Sequence, residues 1–131
     1  MTQDDKTARE ISSDAVIVYT TWPDADTATA AAEALVGQGL AACANILPAM
    51  TSVFIWEGKL RREQETAMIL KTRKELADRL VAETRRHHPY DTPAILVLEV
   101  SGGFQPFLAW IQQQTIDPCG TGASGARHVA K

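Results

Sequence analysis

Arg86 to Pro93 reads RHHPYDTP, and its adjacent imidazoles, His87 and His88, are the first residues in the chain with obvious chemistry. Neutral imidazole suits copper or zinc better than magnesium, so a divalent transition metal is the first ligand class to weigh. The spacing works against a chelate. A residue before proline is pushed toward extended geometry, so His88 should leave any helix that contains His87 and its ring should point elsewhere. A metal site here needs further ligands from another segment or chain. Without them, the two histidines and the preceding Arg85 and Arg86 suit the carbonyl end of a helix.

Cys43 is the other reactive side chain, but Ala41, Ala42 and Ala44 surround it, as around an inert packed thiol. A Cys43–His88 nucleophilic pair lacks a third orienting group and an oxyanion loop, so no catalytic residue is assigned. Trp56, Glu57, Glu65, Lys71 and Tyr90 form a second candidate set, polar or amphipathic groups that a hairpin could gather into a ligand cleft at one end of a sheet. Lys71 closes an apolar strand just before a helix start, where an anion could be met. Surface ion pairs and a half-buried ring are the alternative. Neither Walker nor dinucleotide glycine fingerprints occur, and no organic cofactor is implied.

The elements that would carry these residues follow from period and punctuation. Ala15 to Thr21 is a β-branched run stopped by Pro23, a strand. Ala28, Ala31, Ala32, Leu35 and Val36 recur at helical spacing, with Asp24 or Asp26 as N-cap and Gly37 or Gly39 as terminator. Leu40 to Trp56 is one long strand with a bulge or bend expected at Pro48. Glu57-Gly58-Lys59 turns it back into a strand through Glu65–Lys71, making a long hairpin. Thr72 and Glu75 have capping-box spacing ahead of Leu76, Ala77, Leu80, Val81 and Thr84, a second helix. Ala94 to Val100 is a fourth strand, and Phe104, Phe107, Leu108 and Ile111 mark a short third helix.

The order βαββαβ plus a helix predicts an α+β, ferredoxin-like split βαβ sandwich with a long central hairpin and an extra C-terminal helix. Residues 15–116 form the domain, between a flexible polar segment at 1–14 and a flexible Gly-rich tail at 117–131.

Composition narrows the partners. With 131 residues, 45% of them hydrophobic, the chain suits one globular core. Thirteen basic against sixteen acidic residues give a net charge of −3, which supplies no general pull toward nucleic acid. The N-terminus has no signal-like apolar region, no run is long enough to span a bilayer, and Cys43 and Cys119 are poorly placed for a disulfide, so a cytoplasmic setting without membrane partners is expected. The strands do not alternate apolar and polar. Val53 and Ile55 point opposite to Phe54 and Trp56, and Ala67 and Ile69 opposite to Met68 and Leu70, so both sheet faces are greasy. Two helices cover one face; another copy of the chain is expected to cover the other.

LAACANILP at Leu40–Pro48, SVFIWEGKL at Ser52–Leu60, MILKT at Met68–Thr72 and HHPYDTP at His87–Pro93 occur in the order found in one family. From about Val16 to Thr115 the chain resembles the CutA family of divalent-cation tolerance proteins. The resemblance implies a ferredoxin-like subunit in a homotrimer, no firmly established reaction, a link to tolerance of copper and other divalent metals, and a trimer design similar to the PII signalling proteins. It also implies copper ligation by a first-strand cysteine and the two histidines. His87 and His88 match, but Thr20 stands at the cysteine position and Ala94 replaces a usual glutamate, so the implied metal binding is weak. A PII-like regulatory or scaffolding trimer, with a small ligand or partner in an intersubunit cleft, is the alternative function.

Overall fold

The computed structural model of the chain describes residues 13–118. The expected flexible ends, and Cys119 with them, fall almost wholly outside that range. Four strands, β1 (Ala15–Trp22), β2 (Cys43–Trp56), β3 (Lys59–Arg73) and β4 (Ile95–Glu99), form one antiparallel sheet in the order β2-β3-β1-β4. Three helices accompany them: α1 (Ala25–Gly37), α2 (Ala77–His87) and α3 (Gln105–Gln114). This is the α+β, ferredoxin-like order expected from the sequence.

The period-2 geometry of β1 decides where the core lies. Val16, Val18, Thr20 and Trp22 point to α1 and α2 and are buried, together with Met68 and Leu70 of β3. Ala28, Ala31, Ala32 and Leu35 supply the facing surface of α1, and their small side chains let that helix approach the sheet closely. Asp24 caps α1, its carboxylate accepting from the Thr27 N–H at 2.8 Å, and this bond holds the Asp24 carboxyl below its ordinary pKa.

The second helix starts differently from expectation. Thr72 is no helix cap; it remains in β3, pairs with Val16, and turns its hydroxyl inward to donate to the Leu40 carbonyl at 2.7 Å. Burial on the core face claims the side chain that a capping box needs. A 3₁₀ turn, Lys74–Leu76, leads into α2 with no side-chain cap.

Between β2 and β3 the hairpin outgrows the sheet. β1 pairs with β3 only as far as the Trp22–Thr66 pair, so from Met50–Glu65 to Trp56–Lys59 the two strands run on as a free ribbon. The register skips Pro48 and Ala49 against the single Thr66, the expected bulge, with Ala49 at φ 63°. Glu57 and Gly58, at φ 51° and 79°, make the tight turn with left-handed backbone that fits a twisted two-residue hairpin. The ribbon shows Ile55 70% and Leu60 74% exposed, and Leu96 and Leu98 of β4 are exposed on the sheet face away from α1 and α2.

The third helix covers one end of that far face. Ile111 packs on Ala15 and Ala42, and the Arg73 guanidinium donates to Thr115 Oγ1 at 2.9 Å and the Gln112 carbonyl at 2.6 Å, a cation set against the helix C-terminus.

Candidate functional site

The far face continues along the ribbon, and at its base a cleft of about 470 Å³ opens, within the range of small-molecule sites. Thr21 of β1 forms its floor. The ribbon supplies Phe54, Trp56, Arg61, Glu63 and Glu65, and the loop before β4 supplies Tyr90, Asp91, Thr92 and Ala94. Antiparallel pairing explains the grouping: Phe54 lies opposite Arg61, and alternate residues Arg61, Glu63 and Glu65 share a face.

Of the five residues singled out as a cleft, the structure brings together Trp56, Glu65 and Tyr90. The Tyr90 hydroxyl donates to Glu65 Oε2 at 3.4 Å. Burial first, then the Glu65 charge, push the Tyr90 pKa up, so the phenol stays a donor at neutral pH. Glu57 sits at the hairpin turn, outside the lining. Lys71 is six residues along β3 from Glu65, about 20 Å away at strand rise. Its ammonium donates to Asn45 Oδ1 at 2.6 Å and lies 5.9 Å from the Phe107 ring centroid, so it serves the opposite end of the sheet.

The histidines part company as the following proline requires. His87 is the exposed last residue of α2, beside Arg85 and Arg86 at the carbonyl end. His88 is in extended conformation and only 8% exposed. Its ring stacks on Trp22 at 4.1 Å and tilts against Tyr90 at 4.9 Å. Nε2 lies 2.7 Å from the Thr21 carbonyl, and Nδ1 accepts the Tyr90 N–H at 3.2 Å. The carbonyl can only accept and the N–H only donate, which fixes the neutral tautomer with its proton on Nε2. Burial lowers the His88 pKa below its ordinary 6.5, while the Thr21 carbonyl and the Glu65 charge pull against that shift. Both ring nitrogens are thus occupied within the chain.

Thr20, at the position of the implied cysteine, is fully buried; its hydroxyl accepts from Trp22 Nε1 at 2.6 Å and donates to the Met68 carbonyl at 3.0 Å. Cys43 stands beside Lys71, at the level of Ile17 and four residues along β1 from Thr21, so it does not meet His88. No group of three or more His, Cys, Asp or Glu among the described residues converges to hold a metal ion.

Sequence reasoning missed Phe54, Arg61, Glu63, Asp91 and Thr92. The signal was available for the ribbon: once the turn is placed at Glu57–Gly58, pairing sets Phe54 against Arg61 and puts Glu63 on the face of Glu65. Asp91 and Thr92 lie in a loop held by His88 at the Tyr90 N–H and by Arg85 at the Asp91 carbonyl, contacts that no periodic pattern announces.

Comparison with known proteins gives a consistent result. A family model described as CutA1 divalent ion tolerance protein matches residues 16–114. A divalent-cation tolerance protein CutA from Citrobacter koseri is 44% identical over 108 residues, covering 82% of this chain and 94% of the relative. Among solved structures, CutA1 from Oryza sativa superposes with a TM-score of 0.77 at 34% identity over 81% of this chain and 97% of that one. The periplasmic divalent cation tolerance protein CutA from Archaeoglobus fulgidus gives 0.74 at 38% identity, over 76% and 97% of the two chains. No helix among the described residues is long and apolar enough to cross a membrane. With the motifs, the strand order and these relatives in agreement, the chain belongs to the CutA1 divalent ion tolerance family.

Proposed function

We propose that this chain is a homotrimeric divalent-cation tolerance protein that binds copper or another divalent metal weakly and catalyses no reaction. The observation that carries the weak binding is the occupancy of His88. With Nε2 and Nδ1 both hydrogen-bonded, His87 is the imidazole free to meet a cation first, and His88 joins only by giving up its bond to Thr21 or Tyr90. One exposed imidazole is a poor cage, and among divalent ions it favours copper. The trimer is supported by the ribbon and β4, whose Val53, Ile55, Leu60, Leu96 and Leu98 stand exposed; a two-stranded ribbon of this kind is marginal unless something packs on it. A cytoplasmic setting suits Cys43, which is a free thiol.

Calorimetric titration of Cu(II) into the wild type, His87→Ala and His88→Ala, with the mass of each followed by sedimentation, tests this. The expected result is a trimer whose copper affinity falls at least tenfold in His87→Ala. Unchanged affinity in His87→Ala, or a monomer at micromolar concentration, defeats the proposal.

A second reading is favoured by the convergence of Trp56, Glu65 and Tyr90 on one cleft. On it, the trimer is a PII-like regulator or scaffold that receives a small ligand or partner there. A metabolite that raises the melting temperature where metals do not would select this reading.

A further inference from the structure

The lining of the cleft carries more information than its volume. Three aromatic rings, Phe54, Trp56 and Tyr90, share it with three carboxylates, Glu63, Glu65 and Asp91. One guanidinium of the lining, Arg61, opposes them and is engaged by Glu63 at 3.3 Å, and a second, Arg85, stands behind the loop and donates to the Asp91 backbone carbonyl at 3.3 Å, leaving carboxylates in the majority. Glu65 and Asp91 stand in no ion pair among the described residues. The site is therefore electronegative twice over, through carboxylate charge and through the π faces of its rings.

A bare divalent ion does not match this arrangement. Magnesium or calcium needs six or more oxygens at about 2.0–2.6 Å, and no such convergence of acidic groups exists among the described residues. An anion is repelled. An organic cation asks for less exact convergence: a ring face within about 6 Å of the charge, and one carboxylate within hydrogen-bond reach of the ammonium. Glu65 is held at the cleft by the Tyr90 hydroxyl, so a carboxylate and a ring edge already act as one unit.

We propose that the cleft bounded by Trp56, Tyr90 and Glu65 is a binding site for an organic ammonium ligand, with the cation between the rings and the Glu65 and Asp91 carboxylates. The assignment rests on the reading of this cleft as a ligand site and adds the chemical class. Because the carboxylates are near the surface, affinity falls as ionic strength rises.

The test uses three probes with one skeleton: 2-phenylethylamine as cation, 2-phenylethanol as neutral analogue and phenylacetate as anion, each titrated calorimetrically into the full chain. The amine is expected to bind at least tenfold more tightly than the alcohol, and phenylacetate least. Glu65→Gln should collapse the amine-to-alcohol ratio toward one, and Trp56→Ala should weaken both amine and alcohol. Asp91→Asn, on an exposed loop, gives an independent loss of charge if Glu65→Gln disturbs folding. Alcohol or phenylacetate binding as tightly as the amine overturns the cationic assignment and leaves the cleft a ligand site. Amine affinity untouched by all three substitutions overturns it too, by placing the ligand elsewhere. If none of the probes binds at millimolar concentration the ammonium class is rejected, and the thermal-shift screen with other metabolites then judges the cleft separately.

Discussion

His88→Ala should destabilise the protein by about 2.5–5.5 kcal/mol, whereas His87→Ala should change stability by less than about 0.5 kcal/mol. Truncating His88 leaves the Thr21 carbonyl without its donor at 2.7 Å and the Tyr90 N–H without its acceptor at 3.2 Å. An orphaned buried polar group costs about 1–3 kcal/mol, and the lower end applies to Tyr90, which is 37% exposed and can recruit water. Loss of the stack on Trp22 adds about 0.5–1.5 kcal/mol. His87 is exposed at the helix end, so its removal leaves no buried partner unsatisfied. Guanidinium unfolding at one fixed protomer concentration, followed by tryptophan fluorescence, measures both variants. His88→Phe keeps a ring against Trp22 while deleting both nitrogens, and should recover part of the loss. If His88→Ala unfolds within 0.5 kcal/mol of the wild type, or no differently from His87→Ala, the structural account of His88 is wrong.

Acid should act through the same ring. His88 has its folded pKa below the ordinary 6.5, so the unfolded chain binds its proton more readily; its contribution to stability is complete above that value and is lost as pH falls from about 6.5 through the folded pKa. The wild type should therefore lose more stability than His88→Phe between pH 7.5 and 5, and identical pH slopes for the two would contradict this. Thr20→Val should cost about 1–3 kcal/mol by stranding the Trp22 indole N–H and the Met68 carbonyl in a fully buried site, with Thr20→Ser losing less; a valine variant as stable as the wild type in the same unfolding assay would refute that.

The architecture was legible because each element carried its own local signal: Asp24 before an alanine-rich period, Pro48 inside a strand, Glu57-Gly58 between two strands. Where the reading failed, a tertiary demand overrode a local one. Thr72 and Glu75 have the spacing of a capping box, yet Thr72 is drawn inward by the Leu40 carbonyl and by pairing with Val16. Lys71 looked like a cleft residue from its position ahead of a helix, but strand length carries it to the other end of the sheet, where Asn45 receives it. Three of the ten residues that line the cleft, Trp56, Glu65 and Tyr90, were visible as separate residues. What the sequence could not convey is which of them one face of a twisted ribbon collects, and where the loop after His88 brings Tyr90 and Asp91.

That loop joins the two candidate sites. His88 holds the Thr21 carbonyl with one nitrogen and the Tyr90 N–H with the other, while Thr21 and Tyr90 both line the cleft. The imidazole sits behind the cleft wall and fixes the spacing between β1 and the loop that carries Asp91. A consequence follows for any experiment on the HHPY segment. Substituting His88 removes the partner of the Tyr90 N–H and of the Thr21 carbonyl, both at residues that line the cleft, so a loss of metal or ligand binding in that variant does not identify a ligating group. His87 touches none of these partners, and Glu65 reaches the cleft from β3 independently of the loop backbone. Ligation by imidazole is therefore separable from support of the cleft only by setting His87→Ala against His88→Phe. An effect confined to the first belongs to cation binding, and one confined to the second belongs to the wall that His88 holds in place.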